Sequence, residues 1–345
     1  MSAGAVPFSV KETERWVAGN IPSLTPPLQW TALAGGHSNL TYLVTDSNGA
    51  RAVLRRPPMG KLMPKAHDVG REWKIIAALA PTPVPVPAPL GFCADAEVMG
   101  ADFYVMGHAA GRALHRAEDT AAYVPIEHRR EVGLSLVDAL AELHCVDPAA
   151  VGLDDLGPKD GYLARQLKRW HASWLASVDA TGFDDQRAHD LKAFFDERLP
   201  QGGQVRVVHG DYGLHNTIIG PDFRVSAIVD WELATLGDPL ADFAYVLNGF
   251  AGAGIVLPAD APASPPGFPE REELCDRYAE RTGADLAILP FYCALNFWKA
   301  AAIGQSVYAR YKQAASIPAG VDMTRRRAVI DERLDNAVRV LDAMR

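Results

Sequence analysis

Asp211, Asn216 and Asp230 are the residues whose types and spacing could do chemistry. They stand in Val208-His209-Gly210-Asp211-Tyr212-Gly213-Leu214-His215-Asn216 and in Val229-Asp230-Trp231-Glu232. That is a carboxylate, an amide five residues on, and a second carboxylate fourteen further. Phosphoryl transfer needs such a set: one Asp polarises the attacking hydroxyl, and an Asn and another Asp hold Mg²⁺ on the nucleotide phosphates. Asp211 follows a strand-like run, Val205 to Val208, and is placed to act as a base. Asn216 offers a neutral oxygen and Asp230 ends the next apolar strand, a donor set that suits Mg²⁺. Singly, each residue could serve as a turn or cap; together, with strands on both sides, they point to a catalytic loop. A zinc site from His209, Asp211 and His215 is the hydrolytic alternative, but no further His or Cys cluster stands at ligand spacing. His209 is expected to brace the loop, and His215 to face solvent or the metal's surroundings.

A second set precedes it. Gly35-Gly36-His37-Ser38-Asn39 lies between two strand-like runs, where the backbone N–H groups around Gly36 and Ser38 can approach phosphate oxygens. Arg55, on the next strand, is the cation available to the α- and β-phosphates. Glu72, on the following helix, can pair with it; the plainer alternative is a surface charge pair. Neither GxxxxGK[ST] nor GxGxxG is present, so P-loop and Rossmann readings lose support.

These residues need elements to hold them. Leu28 to Leu33, Leu40 to Thr45 and Arg51 to Arg56 read as strands, with Asp46-Ser47-Asn48-Gly49 as a hairpin turn. Val69, Trp73, Ile76 and Leu79 recur at helical spacing, which predicts an amphipathic helix over 68–80. Pro81 to Pro89 is a polyproline-like connector. Gly91 to Cys93 and Phe103 to Met106 can be two more strands, and Gly107 to Gly111 breaks the pattern. From about 126 the chain is mainly helical, with a β island at Val205 to Val208, Thr217 to Ile219 and Val225 to Val229. His144 reads as a core histidine, and Trp170, Trp174 and Trp298 as packing residues. Residues 251–269, rich in Gly, Ala and Pro, read as a long loop.

Composition bounds the rest. At 345 residues, 48% hydrophobic and 22% charged, two packed units or one large one are expected. The net charge of -8 argues against nucleic acid or an anionic membrane as partner. Residues 230–290 hold eleven acids against three bases, which could draw a cationic substrate or be solvated helix faces. Four cysteines without a CxxC read as reduced thiols of a cytoplasmic protein. The N-terminus lacks the basic and apolar regions of a signal peptide, and no stretch approaches the ~18 apolar residues of a membrane span.

The order of glycine hairpin, basic strand residue, helix Glu, HGDxxxxN and DWE resembles the aminoglycoside phosphotransferase family, across nearly the whole chain. Val53 to Pro58, Ala66 to Glu72, Tyr162 to Trp170 and Asp230 to Asp242 resemble the branch related to the kinase-like domain fused to some acyl-CoA dehydrogenases. The resemblance implies an α+β, bilobal protein-kinase-like fold, with a small β-rich N-lobe over residues 1–107 and a larger, mainly helical C-lobe over 108–345. It implies Asp211 as catalytic base, Asn216 and Asp230 as Mg²⁺ ligands, and Arg55, where many relatives have Lys, on the phosphates of ATP or GTP with Glu72 as partner. Met106, Gly107 and His108 would be the hinge that meets the purine. The expected activity is phosphorylation of a hydroxyl on a small molecule, a hydroxy acid or hydroxyacyl thioester, with an aminoglycoside or amino sugar as rival acceptor. A nucleotide-binding pseudokinase acting through protein partners is the alternative of another class. Gly213 and His215 depart from the Arg and Asp that relatives often carry there.

Overall fold

The computed structural model describes residues 6–33, 39–58, 68–200, 202–252, 254–255, 257–314, 317 and 321–343. Gly36 and Ser38, expected at a phosphate-binding turn, lie outside the described residues. Contacts divide the chain into two compact units: Met1–Ala113 with Val151–Leu153 and Asn216–Leu233, and Leu114–Ala150 with Asp154–His215 and Ala234–Arg345. A division at residue 107 would leave Asn216 and Asp230 in the second unit. Contact density puts their segment in the first.

The first unit contains α1 (Val10–Asn20), β1 (Gln29–Ala32), β2 (Leu40–Thr45), β3 (Arg51–Arg56), α2 (Val69–Leu79), β4 (Pro89–Cys93), α3 (Ala96–Met99) and β5 (Phe103–Gly107). The strands form one antiparallel sheet in the order β1-β2-β3-β5-β4. The β2–β3 turn closes because Asp46 Oδ1 accepts from the N–H groups of Asn48 and Ala50 at 2.8 and 2.7 Å. Asp68 caps α2 by accepting from Arg71 N at 2.9 Å. The inner face of α2 is Val69, Glu72, Ile75, Ile76 and Leu79, so a carboxylate takes a place in an otherwise apolar stripe. Trp73, expected on that face, is only half-buried and stacks on Phe92.

The second unit contains α4 (Ala117–Tyr123), α5 (Arg129–Cys145), α6 (Tyr162–Thr181), α7 (Gln186–Glu197) and β6 (Arg206–Val208). The chain then returns to the first unit for a hairpin of β7 (Thr217–Ile219) and β8 (Val225–Ile228). That hairpin joins the sheet-bearing unit through an Arg112–Ile219 bridge and a hydrogen bond from Ile228 N to Pro85 O at 2.8 Å. Gly111 makes the bridge possible: its φ is +135°, and a Cβ there would collide with the Ile219 carbonyl oxygen. β9 (Thr235–Gly237), α8 (Pro239–Leu247), α9 (Arg271–Thr282), α10 (Leu289–Gln313) and α11 (Met323–Asp342) complete the second unit. There β6 pairs with β9, and α10 packs against α6, α8 and α11. Trp174 and Trp298 are buried, their indole N–H groups donating to Asp184 and to the Ala188 carbonyl. Among the described residues no helix is long and apolar enough to cross a membrane.

Candidate active site

In the first unit, two hairpin ends bring together residues far apart in sequence. Val229 N donates to Asn216 O at 3.0 Å, which closes the open end of the β7–β8 hairpin. Asn216 and Asp230 therefore flank the same backbone rung. Asp230 turns away from strand geometry with φ +67°, a left-handed conformation that non-glycine residues adopt at a cost. Its carboxylate meets Arg55, whose Nη2 donates to Asp230 Oδ1 at 2.5 Å. Arg55 Nε lies 3.2 Å from Glu72 Oε2, in ion-pair range but without hydrogen-bond alignment.

Glu72 is the buried end of this chain of charges, with a side chain 1% exposed against 12% for Arg55 and 35% for Asp230. It also accepts from Asn39 Nδ2 at 2.8 Å and from Tyr104 OH at 3.1 Å. Burial pushes its carboxyl up to about 7, against the pull of Arg55 and the Tyr104 hydrogen bond and with a further push from Asp230. Burial opposes the charge of Arg55 too, but Glu72 and Asp230 outweigh it and hold the guanidinium above its ordinary value. The pair is thus no surface contact. Asn39 and Tyr104 are partners that spacing did not single out; only the packed structure shows that they converge on Glu72.

Met106 and His108 follow on β5 and its exit. Met106 is buried opposite Val53 and Pro89, and Gly107 N donates to Ala88 O at 2.8 Å. Burial and Arg51 lower the affinity of the His108 ring for a proton.

In the second unit, β6 delivers the loop that carries Asp211. Gly210 has φ +86°, which turns the chain sharply after His209. The buried carboxylate of Asp242, on the first turn of α8, accepts from His209 N at 2.5 Å and from Gly210 N at 2.9 Å. The β6–β9 pairing is what carries α8 to the loop. Burial alone would raise Asp242, but His144, His209 and the Gly210 N–H hold it below the usual carboxylate range. His144 is the core histidine expected, its Nδ1 2.8 Å from Tyr278 OH and its Nε2 3.7 Å from Asp242. Tyr212 is fully buried and donates to Leu136 O at 2.8 Å, which anchors the far side of the loop.

Asp211 itself keeps 36% of its side chain exposed. Tyr245, from the last turns of α8, donates to its Oδ1 at 2.7 Å, and His215 Nε2 lies 3.4 Å from the same oxygen. Burial would raise this carboxyl, but His215 and Tyr245 bring it below its ordinary value. The Tyr245 phenol is raised by burial and by Asp211, so it stays protonated and donates. Lys299 Nζ stands 5.6 Å above the Tyr245 ring. Gly213 and His215 form one local unit: a Cβ on Gly213 would come within 2.9 Å of the His215 ring.

The zinc alternative gains no support. His209 is wholly buried, and its Nδ1 faces the Asp211 N–H at 3.4 Å. Among the described residues no group of three or more His, Cys, Asp or Glu is placed to hold a metal ion. Asn216 and Asp230, an amide oxygen and a carboxylate at one hairpin end, do fit a hard cation that takes few protein oxygens. At least four of the eleven acids of 230–290 are engaged within the protein: Asp230 by Arg55, Asp242 by the loop, Asp238 by Tyr292 and Leu240 N, and Glu273 by Arg130.

Residues 29–282 match the phosphotransferase enzyme family. The chain belongs to that family. The chain is 36% identical over 316 residues to acyl-CoA dehydrogenase family member 11 of Rattus norvegicus, covering 88% of this chain and 40% of the relative. The chain thus spans about two fifths of the length of that curated relative. A crystal structure from Ralstonia eutropha, assigned as an aminoglycoside phosphotransferase, is 28% identical with a TM-score of 0.79, covering 96% of this chain and 98% of that one. The GDP complex of an aminoglycoside 2'-phosphotransferase shares the fold at 15% identity and TM-score 0.61, covering 95% and 99%. The kinase-like α+β fold expected from the sequence is the one observed.

Proposed function

We propose that this phosphotransferase transfers the γ-phosphoryl group of a nucleoside triphosphate, ATP or GTP, to a hydroxyl of a small molecule. The observation that carries the reading is the contact of Arg55 with Asp230 beside the open end of the hairpin that also carries Asn216, with Glu72 buried behind Arg55. Arg55 is a fixed cation for phosphate oxygens, and its planar fork can hold two of them. Asn216 and Asp230 would hold Mg²⁺, which when bound would neutralise charge on the nucleotide phosphates.

Asp211 accepts the proton of the acceptor hydroxyl. The hydroxyl oxygen forms a bond to the γ-phosphorus as the bond from that phosphorus to the β-phosphate oxygen breaks. The products are a phosphomonoester and the nucleoside diphosphate. Tyr245 and His215 keep the Asp211 carboxylate ionised and aimed, while Asp242 fixes the loop beneath it.

A hydroxy acid or hydroxyacyl thioester is the acceptor favoured over an amino sugar. Relatives named as acyl-CoA dehydrogenases support that choice, as does the mainly apolar cavity beside Tyr245 and His215. Thermal-shift titration with nucleotide, with and without Mg²⁺, tests the first step. A larger shift with Mg²⁺ is expected; a shift indifferent to Mg²⁺, or none, would count against the assignment.

A further inference from the structure

The Gly-, Ala- and Pro-rich segment 251–269 has no part in the chemistry described so far, yet its residues 257–269 are firmly tied into the second unit. Asp260 O accepts from Ala117 N at 3.0 Å, Pro262 O from Thr120 Oγ1 at 2.7 Å, and Pro266 O from Arg129 Nη1 at 2.8 Å. Phe268 packs edge-on against Phe250. The segment so held forms one wall of a cavity of about 310 Å³, lined elsewhere by α8, α10 and α11. Ligand pockets run from ~300 to ~1,000 Å³, so this one suits a compact ligand. His215 and Tyr245, the two side chains on the Asp211 carboxylate, belong to its lining.

The lining is largely apolar, with Phe250, Leu257, Phe297 and Val329 among its residues. Two formal charges interrupt it, Glu332 and Arg333. Glu332 is engaged by Arg325, whose Nη1 lies 2.5 Å from its Oε1. Arg333 donates from Nη1 to the Ala300 carbonyl at 2.7 Å, and among the described residues no carboxylate forms an ion pair with it. A guanidinium carries five donors in a planar fork, so most of this fork is free for a ligand. A cation short of carboxylate partners is costly to bury, and burial pushes the Arg333 guanidinium below its ordinary value against the weaker pull of Tyr245 and Glu332. A carboxylate is the group that would complete it in a two-point contact.

We infer that this cavity binds the acceptor as a hydroxylated carboxylic acid, its alkyl chain against the wall formed by residues 257–263 and its carboxylate on the fork of Arg333. The acceptor role rests on the phosphotransferase reading; carboxylate binding does not. Polycationic amino sugars find no complement here, because the unpaired charge in the lining is positive.

Calorimetric titration of the full chain with decanoate, decanamide and an aminoglycoside tests this, alongside the MgATP thermal shift as a separate arm. Decanoate should bind at least about tenfold more tightly than decanamide, a difference of about 1.4 kcal/mol. Arg333→Met should abolish that preference, and Arg333→Lys should retain part of it. Ala261→Phe, which narrows the cavity without touching the cation, should weaken both alkyl ligands. Equal affinity for acid and amide, an unchanged preference in Arg333→Met, tighter binding of the aminoglycoside, or no decanoate binding by protein that still responds to MgATP would each overturn the inference. Decanoate selectivity without any MgATP response would support it and overturn the nucleotide reading.

Discussion

Arg55 on β3 and Asp230 beyond β8 are 175 residues apart in sequence, and the guanidinium of one donates to the carboxylate of the other at 2.5 Å. The contact links the strand that would serve the phosphates to the residue that would serve the metal. Glu72 holds the far side of the same guanidinium. Arg55→Met would leave Glu72 buried without its cation, and because that carboxyl can then take up a proton the cost should fall below the ~3–5 kcal/mol of a stranded buried charge. It should lower the melting temperature and reduce kcat/KM at least about 100-fold, a loss near 2.7 kcal/mol. Arg55→Lys keeps a charge but loses the fork, and should fall between wild type and Arg55→Met in both measurements.

Asp211→Asn should lower kcat by ~10²–10⁴-fold, the range for a positioned base. Nucleotide binding, read by thermal shift, should stay near wild type. Equal turnover by the variant would remove Asp211 from the base role.

Tyr245→Phe tests how the base is tuned. Burial raises the Asp211 carboxyl, and the His215 and Tyr245 contacts more than offset it. Without the Tyr245 hydrogen bond the proton affinity of Asp211 rises, so the acid limb of the kcat/KM profile should move to higher pH. The loss of a charged hydrogen bond makes that shift large enough to resolve in a pH–rate profile. A profile that only drops, without moving, would make Tyr245 a packing residue.

Glu72 has a pH signature of the opposite sign. Its folded carboxyl lies near 7 against an ordinary 4.5, so between those values the folded protein holds a proton that the unfolded chain has released. Its contribution to stability is therefore present below about 4.5 and is lost as pH rises to about 7. Glu72→Gln should flatten that part of the stability curve in urea titrations across the window. An unchanged slope would contradict the burial of this charge.

Asp242→Ala should be among the more destabilising single changes in the second unit. It strands the buried His209 N–H and the part-buried Gly210 N–H, at up to ~1–3 kcal/mol for an unsatisfied buried donor. Chemical denaturation should show the loss, and activity should fall with it because Gly210 and Asp211 share that support.

Much of this was legible in the sequence where local chemistry decides. β2 and β3 run Leu40–Thr45 and Arg51–Arg56 as expected, because alternation and an Asp-Ser-Asn-Gly turn leave little choice. Arg55 and Glu72 were readable as a pair because adjacent elements carry them. Asp242 and Tyr245 were not, since their roles depend on a three-residue strand, β9, pairing with β6 and so placing α8. Short strands have weak patterns, and a buried acid in an apolar helix reveals its purpose only through the backbone it meets. Arg333 was equally silent: a charged residue on α11 reads as solvated until residues 257–263 wall a cavity beside it.

Product analysis tests the phosphotransferase assignment most directly. Wild-type protein, MgATP and a panel of hydroxy acids, hydroxyacyl thioesters and amino sugars would be incubated and the acceptors examined by mass spectrometry. A phosphomonoester of a hydroxylated acid or thioester should form in step with ADP, require Mg²⁺, and disappear with Asp211→Asn. No phosphorylated acceptor from wild-type protein that binds MgATP, or equal product from Asp211→Asn, would contradict it.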